Sequence, residues 1–269
     1  MTIFKNDLNE IEPFVIKIYD AEVLSPTSRK IYFLSKFHDI INRYRTARRY
    51  LDKTLNCDWL YLLKNVDDDV RDLAKLNYRA EFYEIALINY NIAFDLSWVL
   101  CYVSLEHELW KDGKSNIVGE LETIEKAEKF LRRLEQYTTT PGAVNNPLAY
   151  LKTKNIKYEN IIDEMEVFWK KFSNHSVRKN YNYNKHRGRL AYTEILALDN
   201  NPKPTITFLH LDGKEEKLPS HISDVQKKCS LEYSINELIE FDNEELFPYT
   251  KNLVEKLSYI VKPSPIMDF

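Results

Sequence analysis

The chain has 269 residues, a formal net charge of −3, and 44% hydrophobic residues. This balance excludes an intrinsically disordered chain. The small negative charge excludes a global field that draws a protein onto nucleic acid, so any polyanion site must be a local patch. Glycine is scarce, at five residues, and few glycines mean few tight turns. The composition predicts a mainly α fold, built as a bundle of long helices. The length allows one large domain or two modest ones, and we take residues 1–269 as a single helical domain.

Several classes of site and location are disfavoured by the residue pattern. Cys57, Cys101 and Cys229 are odd in number and far apart, which argues against a disulfide framework and a zinc site. We expect neither a metal ion nor another cofactor. No signal peptide is visible, and no stretch of 18 residues in the apolar region 80–105 is free of charge. A cytoplasmic protein without a membrane span is therefore predicted.

The first predicted helix follows Ser25-Pro26, a capping residue followed by proline. Its apolar residues recur at steps of three and four up to about Leu55. Arg45, Arg48 and Arg49 share one face of this helix, because such steps return to the same side. We interpret them as a solvated face in preference to a phosphate-binding patch.

The second predicted helix opens at the aspartates of 67–69, which complement the positive end of the helix dipole, and meets no proline or glycine until Gly113. Glu84, Asn91 and Asp95 share one face of it. Buried polar side chains need hydrogen-bond partners. These three residues therefore face another copy of the chain, the cationic segment described below, or solvent.

The second half of the chain combines helices with a short β segment. Its strongest loop signal, at 138–147, is the candidate internal boundary, and the apolar stripe of 158–172 predicts a helix. Beyond Gly188, alternation predicts a β-hairpin insertion over 190–218, with strands at 190–196 and 205–209 and a third at 215–218. A final helix pair is predicted for 225–261, with a break near Asp242-Asn243.

The segment 174–189, NHSVRKNYNYNKHRGR, carries polar and cationic residues without an apolar stripe. If the preceding helix continues after a kink through residue 187, Arg178, Asn182 and His186 line one face over roughly 12 Å. Arginine donates to phosphate, asparagine donates and accepts, and histidine titrates near neutral pH. These types suit metal-free phosphodiester chemistry, with His186 transferring a proton and Arg178 stabilising charge on phosphorus.

Four further side chains complete the predicted site as substrate-binding residues. Lys185 and Arg187 supply positive charge to the same segment. Tyr181 and Tyr183 are predicted to stack on unpaired bases. No metal ligand is included.

The run from Arg178 to His186, RKNYNYNKH, resembles the signature of the HEPN superfamily. In that signature an arginine, usually followed by a polar residue, precedes a histidine by a few positions. Here Lys179 stands after the arginine in place of the usual asparagine, aspartate or histidine. The interval between Arg178 and His186 is longer than is typical of the family. HEPN proteins are helical, dimeric prokaryotic proteins of toxin, defence and RNA-processing systems, and many are metal-independent ribonucleases. The resemblance implies a homodimer in which two copies of this segment form one positive cleft, with Arg178 and His186 catalytic.

The residues also leave a plainer interpretation open. The segment would then only end a helix, with His186 and Arg187 bonding to terminal carbonyls and Gly188 as the left-handed cap. Two functional hypotheses follow. One is RNA binding or metal-independent RNA cleavage; the other is a non-catalytic helical interaction module that docks a partner protein through the exposed edge of the hairpin.

The remaining histidines are assigned no chemistry. His38 lies on the apolar side of the first helix and is predicted to be a core residue, and His175 is predicted to be structural. His107 lies between two glutamates on different helix faces, a poor ligand set. His210 and His221 lie in or near the predicted hairpin.

Overall fold

The computed structural model describes residues 3–11, 28–109, 152, 159–198, 206–210, 212, 214–218 and 226–260. Helices dominate these ranges, and the protein is mainly α, as its composition predicts. Within them, no helix combines the length and the apolar character that crossing a membrane requires. The 138–147 loop, the predicted internal boundary, lies outside the described residues.

The described elements are numbered in chain order. The helices are α1 (Ser28–Leu55), α2 (Asp68–Leu109), α3 (Glu159–Asn174), α4 (Ser176–Arg187), α5 (Thr193–Leu198), α6 (Leu231–Phe241) and α7 (Phe247–Ile260). The strands are β1 (Ala191–Tyr192), β2 (Ile206–Leu209), β3 (Glu215–Leu218) and β4 (Lys228–Cys229). Shorter turns of helix are the 3-10 helices Leu8–Glu10 and Asp58–Leu63 and the π-helical segment Asp242–Leu246.

The two long N-terminal helices agree with their predictions. Helix α1 ends at Leu55, and α2 runs for 42 residues through a stretch that contains neither proline nor glycine. Buried residues recur along α2 at steps of three and four, the spacing of one helix face. They are Ala80, Tyr83, Leu87, Tyr90, Phe94, Trp98 and Cys101.

The chain divides into two compact units. The first comprises Met1–Thr46, Asn89–His175 and Glu240–Phe269, and the second comprises Ala47–Ile88 and Ser176–Ile239. Each unit has a core of aromatic side chains of its own.

In the first unit, the aromatic core is centred on Phe94 of α2. Its ring centroid lies 5.5 Å from that of Phe168, 5.4 Å from Trp169, 4.8 Å from Phe172 and 5.9 Å from Tyr249. Each such pair contributes about 0.5–1.5 kcal/mol beyond its buried area. The apolar stripe predicted for 158–172 is therefore confirmed as the core face of α3.

The predicted break near Asp242-Asn243 is a π-helical segment between α6 and α7. Its first residue, Asp242, is buried and accepts a hydrogen bond of 2.6 Å from the Tyr44 hydroxyl. A buried carboxylate requires such a donor. This contact ties the break to α1 within the first unit.

In the second unit, Trp59 is buried between two rings of α2. Its centroid lies 5.4 Å from that of Tyr78 and 5.3 Å from that of Phe82. Its indole N–H donates to the Lys53 carbonyl at 2.8 Å. The 3-10 helix Asp58–Leu63 is thereby anchored on α1 and α2 residues of this unit.

The predicted hairpin is wrong in its first strand. Residues 193–198 form α5, and β1 pairs in parallel with β4, through Ala191 with Lys228 and Tyr192 with Cys229. The observed hairpin pairs β2 with β3, so the strand predicted at 215–218 is confirmed. A short apolar run fits a helix or a strand equally well by periodicity.

Because β4 occupies 228–229, the last helix pair begins at Leu231 and not near residue 225.

Two predictions for α1 are also wrong. His38 is exposed and is not a core residue, because the buried face runs through Phe37, Ile41 and Tyr44, one position away from it. Arg48 is buried, so it does not belong to a solvated face.

Candidate nucleic-acid interface

Helix α4 carries the predicted site. Helix α3 ends at Asn174 and α4 begins at Ser176, so the helical structure is interrupted by a bend at His175 and resumes through Arg187. At the kink, the His175 ring lies 4.6 Å from the Phe241 ring between centroids, a packing contact. Helix α4 ends at Arg187, and Gly188 follows with φ +102°, a left-handed conformation that suits glycine.

One face of α4 is buried. Its buried residues are Val177, Asn180 and Tyr181. Asn180, 4% exposed, donates from Nδ2 to the Tyr83 hydroxyl at 3.4 Å and accepts at Oδ1 from the Lys227 Nζ at 2.7 Å. Burial raises the pKa of the Tyr83 hydroxyl, which therefore stays protonated. This face holds α4 in the second unit through both apolar and polar contacts.

Arg178 and Tyr181 contact each other. The Arg178 guanidinium carbon lies 5.1 Å from the centroid of the Tyr181 ring, a cation–π distance. Arg178 is half-buried and Tyr181 is 9% exposed. The structure thus presents little of the Tyr181 ring to an incoming base.

Tyr183 is half-exposed, and its hydroxyl has a defined partner. It accepts a hydrogen bond of 2.8 Å from the backbone N–H of Lys227. The ring is therefore held at its far end while part of its surface stays open to solvent. Of the two tyrosines predicted to stack on bases, Tyr183 has the more accessible ring.

The other predicted residues lie on the exposed part of α4. Asn182, Lys185, His186 and Arg187 are all exposed, the last three in the final turn. Arg178 lies about two turns earlier in the helix and is half-buried. On an ideal helix its direction is about 20° from that of Lys185, about 80° from that of His186 and about 180° from that of Arg187. Lys185, His186 and Arg187 are thus exposed together at the end of α4, and of these three only Lys185 shares the direction of Arg178.

The positive charge of α4 has no acidic counterpart on the helix, which contains no aspartate or glutamate. Lys179 is exposed as well. Over the described ranges, no carboxylate forms an ion pair with Lys179, Lys185 or Arg187. By contrast, Arg79 of the same unit pairs with Glu232, at 2.7 Å between Nη2 and Oε2. Among the residues that the structure describes, the exposed charge of α4 thus has no acidic partner.

Glu84, a half-buried carboxylate of α2, has two hydrogen-bond partners. Its Oε1 accepts from the Arg189 Nε at 3.0 Å and from the Tyr192 hydroxyl at 2.9 Å. Burial and the charge of Glu84 raise the pKa of Tyr192. The sequence left open whether Glu84 faces another copy of the chain, the cationic segment 174–189 or solvent. Glu84 faces the cationic segment, because it contacts Arg189, the last residue of that segment. The sequence marked Glu84 as needing a partner but gave no sign that Tyr192 would be one.

Lys227 is a residue of this surface that sequence reasoning missed. It is exposed, and it contacts α4 through both its backbone N–H and its ammonium group. The available signal in the sequence was the adjacent pair Lys227-Lys228. No periodicity or motif connects that pair to α4.

Comparisons with protein-family models, with curated proteins and with solved structures find no match for this chain. The HEPN resemblance therefore stays a prediction that depends on the run from Arg178 to His186. The residues of the second unit carry the functional argument from here.

Proposed function

We propose that this protein binds RNA through the exposed side of α4, formed by Lys179, Asn182, Lys185, His186 and Arg187 and called here the α4 face. The observation that carries the proposal is the exposure of this cationic group without a carboxylate partner in the described ranges. Neutralising phosphates with lysine and arginine releases counterions and drives association. On a chain with net charge −3, such a patch directs a polyanion to one place.

The same face supports RNA cleavage without a metal ion as the activity. His186 is exposed, so it can reach a ribose. In the proposed reaction it takes the proton of the 2′-OH, whose oxygen forms a bond to the adjacent phosphorus while the bond to the 5′ oxygen breaks. The 5′ oxygen takes a proton from a second histidine, which a homodimer supplies. The products are a 2′,3′-cyclic phosphate and a 5′-hydroxyl. A cytoplasmic toxin or defence protein would use such a reaction.

Binding is tested with the full chain and a fluorescent single-stranded RNA at low salt. The variant Lys179→Gln, Lys185→Gln, Arg187→Gln should lose most of the affinity. The control is a variant that lowers the net charge by the same amount at three exposed lysines elsewhere, Lys5→Gln, Lys64→Gln and Lys214→Gln. It should bind RNA as the wild type does. A wild type that binds no RNA, or equal losses in the two variants, would refute the α4 face.

Cleavage is tested in the presence of a chelator. The His186→Ala variant should lose cleavage and keep binding, while His210→Ala, at another exposed histidine, should cleave normally. If wild-type protein binds RNA without cleaving it, the catalytic part of the proposal fails and the binding part stands.

The HEPN resemblance adds a homodimer in which two α4 faces line one cleft. Light scattering should then give twice the chain mass of 32.0 kDa. A monomer that cleaves RNA would contradict the shared cleft.

A protein-docking module is the second candidate, favoured by Leu60, Tyr61 and Leu62. These consecutive apolar residues of the 3-10 helix Asp58–Leu63 are all exposed. Contiguous exposed apolar surface often marks an interaction site. Replacing Tyr61 and Leu62 by serine should leave RNA binding unchanged. If wild-type protein fails to bind RNA and this variant loses a defined protein partner, the second candidate replaces the first.

A further inference from the structure

Lys227 is held against α4 by two hydrogen bonds. Its backbone N–H donates to the Tyr183 hydroxyl at 2.8 Å, and its Nζ donates to Asn180 Oδ1 at 2.7 Å. Asn180 is buried and its amide also donates to Tyr83, so the acceptor has a fixed orientation. The ammonium group of Lys227 is therefore positioned by a buried amide, unlike a lysine that extends freely into solvent.

Within the described residues, no carboxylate compensates the charge of Lys227. An ammonium group has three donors, and a neutral amide satisfies one of them without cancelling the charge. In the part of the chain that the structure describes, no carboxylate pairs with Lys227. The residue is exposed, so its further donors can reach a ligand. These are the properties of a phosphate-binding lysine.

Tyr183 lies on α4 between Asn180, which binds the Lys227 ammonium group, and a second cation, Arg187. Asn180, Tyr183 and Arg187 recur at steps of three and four, so they share one face of α4. Arg187 lies about 6 Å beyond Tyr183 along the helix axis. Along the helix, the half-exposed Tyr183 ring thus follows the residue that holds the Lys227 ammonium group and precedes Arg187.

We propose that Lys227 is a phosphate-binding residue of the α4 site and that the substrate class is single-stranded RNA. An unpaired base stacks on Tyr183, and the phosphates that flank it contact Lys227 and Arg187. A duplex does not fit, because its bases are stacked on one another and their faces are covered. This inference rests on the proposed function and adds to the α4 face a residue from outside the helix.

The test is the salt dependence of RNA binding by the full chain. Lys227→Gln should weaken binding several-fold and reduce the slope of log affinity against log salt concentration by about 0.7, one phosphate contact on a single strand. Lys228→Gln is the matched control, because neighbouring residues of an extended segment point to opposite sides. It should match the wild type.

The outcomes separate the two proposals. If Lys227→Gln keeps the wild-type slope while the triple α4 variant loses binding, the role of Lys227 is refuted and the α4 face stands. If wild-type protein binds no RNA, both fail. Thermal unfolding of each variant, monitored by circular dichroism, identifies any loss of RNA binding that comes from misfolding.

The substrate class is tested at Tyr183. Tyr183→Leu removes the ring and should weaken binding of single-stranded RNA more than Tyr183→Phe, which keeps the ring and removes the hydroxyl. Duplex RNA of the same sequence should compete poorly. Equal competition by the duplex, or equal effects of the two variants, would refute stacking on Tyr183.

Discussion

Helices α3 and α4 follow each other along the chain, and they use their residues in opposite ways. Helix α3 buries an apolar stripe, Ile161, Ile162, Met165, Phe168 and Phe172. Helix α4 buries only Val177, Asn180 and Tyr181 and leaves its cations exposed. The difference indicates that α3 contributes mainly to stability, whereas the exposed residues of α4 contribute little to it and are available for binding.

The largest expected effect is the loss of an α3 core residue. Phe172 is fully buried and contacts the rings of Phe94 and Phe241. Phe172→Ala should lower the free energy of unfolding by about 3–5 kcal/mol, because it removes buried area and leaves a cavity. Urea denaturation measures this loss. The control Val167→Ala, at an exposed position of α3, should change stability by less than about 0.5 kcal/mol. Equal effects would contradict the assignment of the core face.

A smaller loss of stability is expected when a residue on the buried face of α4 is replaced. Asn180→Ala leaves the Tyr83 hydroxyl and the Lys227 ammonium without their shared partner, which should cost about 1–3 kcal/mol. Asn182→Ala, the same change at an exposed position of the same helix, should cost less than about 0.5 kcal/mol. Denaturation midpoints of the two variants provide the comparison, and equal midpoints would show that Asn180 is dispensable.

Glu194 shows how a charge with many partners differs from the charges of α4. Burial alone would raise its pKa, but hydrogen bonds from the Ser230 hydroxyl and the backbone N–H groups of Leu231 and Glu232 lower the pKa to about 2. A carboxyl group in an unfolded chain has a pKa of about 4.3. Its stabilisation is therefore fully present above that value and is lost as the pH falls toward 2.

The variant Glu194→Gln should be less stable than the wild type at neutral pH. The difference should shrink as the pH falls from about 5 to about 2, because the wild-type carboxylate becomes protonated in that window. Urea midpoints measured across this range test the point. A difference that does not change with pH would contradict the role of the ionised carboxylate.

The smallest effect on stability is expected on the α4 face. Lys185 is exposed, so Lys185→Gln should change the free energy of unfolding by less than about 0.5 kcal/mol. The same variant should bind RNA more weakly and with a lower salt dependence, since one cation is lost. A clear loss of stability without a loss of RNA binding would make α4 a structural helix like α3.

Local structure was predictable where the sequence has a long, regular period. The end of α1 at Leu55, the stripe of α3 and the break near Asp242 all follow from patterns within a few turns of helix. The first hairpin strand was predicted wrongly because 193–198 is too short for periodicity to separate strand from helix. His38 was misplaced because an error of one position turns a side chain by about 100°.

The sequence by itself determined the mainly α fold and the polar, cationic character of residues 174–189, because helix period and charge are local properties. Only the tertiary structure decided which of those residues are exposed, and that Arg178 lies on Tyr181 while Lys185, His186 and Arg187 face solvent. It also brought Lys227 to Tyr183, 44 residues away along the chain. The physical reason is that such a contact depends on how distant segments pack, and no local pattern records it.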